Sequence, residues 1–187
     1  MANWGGFTAA VAPFLDTVNN KTEEQTAEHI AKQYEIATRP TIITMVGGPL
    51  ISTPPVTGIQ QAILDSFLAV KDSGKMPQPT HFSKWANETV KLWAGSSWTP
   101  MPPAPGYVLP TVGHIVTSGG TPSPLDVQLC DAFSLPRAST PMGNLICAKL
   151  VLAFTNHLMT VQGIYNGLIP AAPSPVPGPP FPWIGLT

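Results

Sequence analysis

Prolines fill five of the thirteen positions in WTPMPPAPGYVLP (98–110) and seven of the thirteen in PAAPSPVPGPPFP (170–182). Each proline fixes φ near −65° and lacks a backbone N–H, so neither stretch can be the interior of a helix or a fully bonded central strand. Both are nearly without charge. The sequence therefore predicts two stiff, polyproline-like segments that act as packing surfaces, a connector at 98–110 and an arm at 170–187.

Charge placement points the same way. The 187 residues carry 9 Lys and Arg against 10 Asp and Glu, a net charge of −1. Charged residues make up 10% of the chain, where soluble proteins average roughly 25%. Residues 99–187 hold only Asp126, Asp131, Arg137 and Lys149. A surface this bare is expected to associate with itself or with partners. The balanced charge leaves no electrostatic footprint for nucleic acid or an anionic membrane. The opening MANWGGFTAAVAPFL lacks the basic start of a secretory signal, so no export is expected.

Periodicity places the elements. KTEEQTAEHIAKQYEIATR (21–39) opens with Thr22 and Gln25 in capping-box spacing, and Ala27, Ile30, Ala31, Tyr34 and Ala37 share one face. Residues 57–74 predict a second amphipathic helix, with Thr57 and Gln60 as its capping box and Gly74 as its stop. Residues 81–95 predict a third, capped by Thr80, with Phe82, Trp85, Ala86, Thr89 and Trp93 in one stripe. Pro13 is expected to confine any earlier helix to a start near residue 12. Residues 41–56 read as an extended crossing segment, and 106–122 as the best strand, with Gly119 and Gly120 as turn residues. Ser123 and Pro124 predict the N-cap and first turn of a short helix reaching about Ser134, and Thr140 and Pro141 repeat the device.

The last element predicts a long helix over about 141–169. Cys147, Val151, Phe154, Leu158, Val161, Tyr165 and Leu168 recur there at alternating spacings of four and three, with Leu150, Ala153 and Ile164 beside them. Its richest part, 145–169, includes Lys149, Asn156, His157, Gln162 and Asn166, which are costly in lipid, so no membrane span is expected. The expected fold class is mainly α: a small helical bundle with a long apolar helix near the end of the sequence, short extended or strand segments and two proline-rich arms. The parts are a helical region at 1–97, the connector at 98–110, a strand-like segment and long helix of the same domain at 111–169, and the arm at 170–187.

Catalytic chemistry finds no support in the residues. His29, His81, His114 and His157 sit in four different elements, none with an i, i+4 ligand partner, so no metal site is expected. Cys130 and Cys147 make neither a disulfide framework nor a zinc site and read as buried thiols. Glu23, Glu24, Glu28 and Glu35 form a solvated helix face. VGGPL (46–50) and TSGGT (117–121) lack the lysine and the context of a phosphate loop, and Ser118 has no nucleophile elbow around it. No catalytic residue and no cofactor is therefore assigned. Trp85 and Trp93 read as core, whereas Trp98 and Trp183, each beside a proline segment, read as interface anchors.

An order of features completes the reading. Short helices lead to WANETVKLWAGSSWTPMPPAPGYV, followed by the VTSGGTP loop, an apolar helix and a tail ending PGPPFPWIG. Across residues 24–187 this resembles a loosely defined group of virion structural proteins of T4-like tailed bacteriophages, including marine and cyanobacterial ones, with PPAPG (102–106) its sharpest element. The resemblance implies a non-enzymatic subunit in a virion assembled in the host cytoplasm, touching other virion proteins and copies of itself. Tail or baseplate is the favoured region. The expected interface comprises Trp98, Pro102, Pro103, Pro105, Tyr107, Pro177, Pro179, Pro180, Phe181 and Trp183. A receptor- or glycan-binding accessory protein using Trp98, Tyr107 and Trp183 is the alternative.

Overall fold

The computed structural model describes residues 1–16, 21–43, 50–98, 106, 109–134 and 142–187, the side chains of 109–114, 167 and 181 excepted. Its described residues are mainly helical with short strands. The helices are α1 (Trp4–Asp16), α2 (Glu23–Thr38), α3 (Thr57–Ser73), α4 (Pro79–Ala94), α5 (Leu125–Phe133) and α6 (Gly143–Leu158). The strands are β1 (Leu50–Ser52), β2 (Ser97–Trp98), β3 (Leu109–Ser118), β4 (Gln162–Ile169), β5 (Val176–Pro177) and β6 (Phe181–Ile184).

The helices form a closed ring. Each packs on the next in sequence, and α6 returns to α1. Helices from both 1–97 and 111–169 take part in this ring. Aromatic rings fill the centre: Phe154 of α6 lies 4.6 Å from the Tyr34 ring, 5.9 Å from Trp4 and Phe7, and 6.2 Å from Trp85. The Trp93 indole N–H donates to the buried Tyr34 hydroxyl at 2.8 Å. Burial pushes the Tyr34 hydroxyl well above the usual phenol range, because the interior disfavours a phenolate.

Local rules account for much of the helix placement. Thr22 and Gln25 form the reciprocal box that caps α2, which satisfies two otherwise orphan N–H groups. Gly74 ends α3 at φ 61°, a left-handed conformation that favours glycine. The stripe Phe82, Trp85, Ala86, Thr89 and Trp93 is buried as its spacing predicts.

Other starts differ from expectation. The N-cap of α3 is Val56, with Thr57 already helical, and α4 is capped by Gln78 in a box with His81, two residues ahead of Thr80. Pro124, not Ser123, is the N-cap of α5. Helix α1 runs through Pro13. An interior proline costs about 3 kcal/mol, but Phe7 and Val11 of the same helix are fully buried, and burial of such side chains stabilises by about 1.5–3 kcal/mol each. Tertiary packing therefore holds the helix, with the Pro13 ring on its exposed side. The expected cap at Thr140 and Pro141 lies outside the described residues.

The largest correction concerns the predicted helix at 141–169. Helix α6 stops at Leu158, and Gln162–Ile169 is strand β4. The buried positions Val161, Gly163 and Tyr165 follow the period of two that a strand requires. A spacing of four returns to the same face of a strand as well as of a helix, so Val161 and Tyr165 fit both patterns. The ring position also leaves Leu145 and Leu152 of α6 exposed.

Strand β4 is the centre of a four-stranded antiparallel sheet, with β3 on one side and β5 and β6 in succession on the other. The second proline segment is thus no free arm. Residues 176–184 form an interrupted edge strand, and Leu186 bridges Ile43. Edge positions tolerate prolines because one side of the strand makes no ladder. In the first proline segment, residues 99–105, 107 and 108 lie outside the described residues.

Two glycines permit close approach, one where β3 ends against α4 and one where α6 meets α1. A β-carbon at Gly119 would stand 1.8 Å from the Val90 carbonyl oxygen of α4. One at Gly143 would stand 2.1 Å from the Ala12 carbonyl oxygen of α1. Gly119 and Gly120 turn the chain out of β3 toward α5: Gly120 lies at φ 96° and its N–H donates to the Ser118 hydroxyl at 3.2 Å.

Candidate interface surface

Cross-strand partners share a face, which sorts the sheet into two sides. Val116, Gly163 and Trp183 stand opposite one another and face inward. Trp183 is 3% exposed, and its ring meets Trp98, also 3% exposed, edge to face at 6.0 Å. Trp98 in turn stacks on Trp93 at 6.1 Å. A line of rings thus ties the sheet to the helical core. Trp98 and Trp183, expected as interface anchors, are core residues in this chain. Their position next to prolines carried no information about burial: Trp183 is covered by β4 and by Trp98, and Trp98 by Trp183 and by the nearby Trp93 of α4.

The outward side is uncharged. Ile115, Ile164 and Pro182 form one cross-strand row, and Gln162 and Ile184 another. Ile115 is 45% exposed and Ile184 52%. A shallow hollow runs between Thr117, Gln162, Ile164, Pro182, Trp183 and Ile184. Pro177, Pro179 and Pro180 are exposed along the same edge. No Asp, Glu, Lys or Arg occurs from residue 150 to residue 187. This face, built from β3, β4 and β6, is the strongest candidate for contact with another protein. Of the predicted interface residues, Pro177, Pro179 and Pro180 lie beside it. Pro102, Pro103, Pro105 and Tyr107 are outside the described residues, and Phe181 is described by its backbone only.

Spacing alone did not reveal Ile115, Ile164 and Ile184 as members of this face. The signal available was the β-branched run GHIVTS, in which Ile115 and Thr117 alternate with Val116.

Among the described residues, the histidine that burial perturbs strongly lies elsewhere. His157 is buried at the end of α6, with its Nδ1 3.2 Å from the Thr121 carbonyl. Burial pushes its pKa down to about 4, against opposing pulls from the Thr121 and Gly119 carbonyls. With Pro124, Leu125, Gln128, Asn156 and Thr160 it lines a cavity of about 30 Å³, room for about one water molecule. Thr160 accepts from the Thr121 N–H at 3.2 Å and donates to the His157 carbonyl at 2.7 Å, so this cluster ties the loop after β3 to α6.

Both cysteines are buried and free, and burial raises the Cys147 thiol to about 11, which keeps it un-ionised and unreactive at neutral pH. Among the described residues, no three His, Cys, Asp or Glu side chains gather as a metal site, and no helix is long and apolar enough to cross a membrane. No family model, no curated protein and no solved structure matches this chain.

Proposed function

We propose that this chain is a non-enzymatic structural subunit of a tailed-phage particle, in its tail or baseplate region, assembled in the host cytoplasm. It acts by building fixed interfaces with copies of itself and with other virion proteins. The observation that carries the reading is the uncharged outer face of the sheet, where Ile115 and Ile184 stand about half exposed beside exposed prolines. An apolar, charge-free face is costly to leave in water and gains by being covered. The depletion of charge at such a face matches the core of a protein–protein interface. The resemblance of residues 24–187 to virion structural proteins supplies the particle, and the sheet supplies the contact. In this reading the subunit uses no catalytic residue, metal or cofactor, binds no nucleic acid and spans no membrane.

The glycan-binding alternative depended on rings presented to solvent. Trp98 and Trp183 are buried against each other, so neither offers a sugar a stacking surface.

Quantitative mass spectrometry and electron microscopy of purified particles test the reading. The expected result is a chain present in many copies, with the face around Ile115 and Ile184 covered by a neighbour. A chain that is missing from particles and stays monomeric at high concentration would overturn it.

A further inference from the structure

We infer that residues 181–187 form an exchangeable strand, able to leave their own sheet and complete the sheet of a second copy of this chain. The inference rests on the multi-copy reading above for the circumstance in which two copies meet.

What the segment fits is visible in the closed chain. Phe181, Pro182, Trp183 and Ile184 stand opposite Tyr165, Ile164, Gly163 and Gln162 of β4. The Gly185 N–H donates to the Val161 carbonyl at 2.8 Å and the Leu186 N–H to the Leu158 carbonyl at 3.0 Å. Thr187 exchanges two backbone bonds with Ile42, at 2.9 and 3.0 Å. Trp183 and Leu186 are buried. Every one of these contacts joins the segment to a body that a second copy also possesses, so all of them can be remade between chains without a new surface.

The connection favours release. Residues 170–180 contain six prolines and are exposed at every position but Gly178. Tyr165 faces Phe181 across the pair, so from Ile169 to the start of β6 the connection need span only about four residues of strand, or about 14 Å. Eleven residues in the extended conformation that prolines prefer reach about 34 Å. In the closed chain Val176 and Pro177 pair with Ile169 and Leu168, so release of β6 gives up this two-residue pairing as well and frees the whole connection to reach a neighbour.

Concentration decides between the forms. Joining two chains costs translational freedom that intramolecular closure does not, and a short connection holds the strand at millimolar effective concentration. Dilute chains therefore close on themselves, and chains held side by side exchange. Segment exchange would link copies through buried tryptophans, not only through a surface contact.

The test uses two full-length variants, Gln162→Cys in isotopically labelled chain and Ile184→Cys in unlabelled chain. These positions are paired and exposed. The two are unfolded together, refolded at high concentration and oxidised, and the disulfide-linked peptides are mapped, with the molar mass of the same sample measured by light scattering. The double variant in one dilute chain provides the reference for closure within a chain. A link between residue 162 of one chain and residue 184 of the other, in a dimer or larger species, is the expected result. Oligomers without that link would overturn strand exchange and leave the multi-copy reading standing. A monomer without the link would overturn both.

Discussion

Trp183 occupies the space that a side chain at Gly163 would need: a β-carbon there would stand 2.2 Å from Trp183 Cζ2 and 2.5 Å from the Ile115 carbonyl oxygen. The pair fixes where the edge strand β6 meets β4. Gly163→Ala is expected to destabilise the chain by about 1–3 kcal/mol through overpacking. In a Trp183→Leu background the added cost of the alanine should shrink but persist, because the Ile115 carbonyl belongs to β3 and stays in place. Urea denaturation of the four chains measures both effects. Equal cost in the two backgrounds would contradict the contact.

The Trp93–Tyr34 hydrogen bond gives a second prediction. Tyr34→Phe keeps the ring that touches Phe154 and removes the acceptor of the buried indole N–H. An unsatisfied buried donor costs about 1–3 kcal/mol, so denaturation midpoints should fall accordingly. No loss would mean that water or another group takes over the indole.

Acid should weaken the fold through His157. Its pKa is about 4 in the folded chain and 6.5 in the ordinary case, so the unfolded chain binds the proton first as pH falls. Stability is therefore whole above pH 6.5 and is lost between 6.5 and about 4, by on the order of 3 kcal/mol. Carboxylates add their own titration at the acid end, so the measured quantity is the difference between the wild type and His157→Gln across that window. The variant should show a flatter decline, and identical slopes would count against a buried neutral histidine.

The apolar sheet face should govern association without governing folding. Ile115→Lys and Ile184→Lys place charges on positions that are about half exposed, where substitutions usually change stability by no more than about 0.5 kcal/mol. Sedimentation equilibrium should show self-association at least tenfold weaker, with the melting temperature nearly unchanged. Unaltered association would move the contact elsewhere.

The existence of α2, α3 and α4 was legible, unlike α1 with its interior Pro13, because their signals are local. Thr22 and Gln25 sit three residues apart and cap each other, and the α4 stripe repeats within one helix. The tail was less legible because its meaning lies in distant partners. Nothing near Trp183 announces that Gly163 leaves room for its ring, and nothing near Trp98 announces that Trp183 covers it. The end of α6 was hidden by arithmetic, since Val161 and Tyr165 satisfy both periods. The face around Ile115 emerged only when β3 was set beside β4.

Closure of the helix ring has a kinetic consequence. Five of its six contacts join consecutive helices, and all of these but α4 with α5, which have β2 and β3 between them, close over short stretches of chain. The sixth, between α1 and α6, must bring together groups as far apart as Asp16 and the Gly143 N–H, 127 residues distant and 2.6 Å apart in the folded chain. Long-range contacts of this kind slow folding. The approach of Gly143 to the Ala12 carbonyl should therefore be a late, rate-limiting event, and a bulkier residue at Gly143 would leave an open spiral of otherwise well-formed helices.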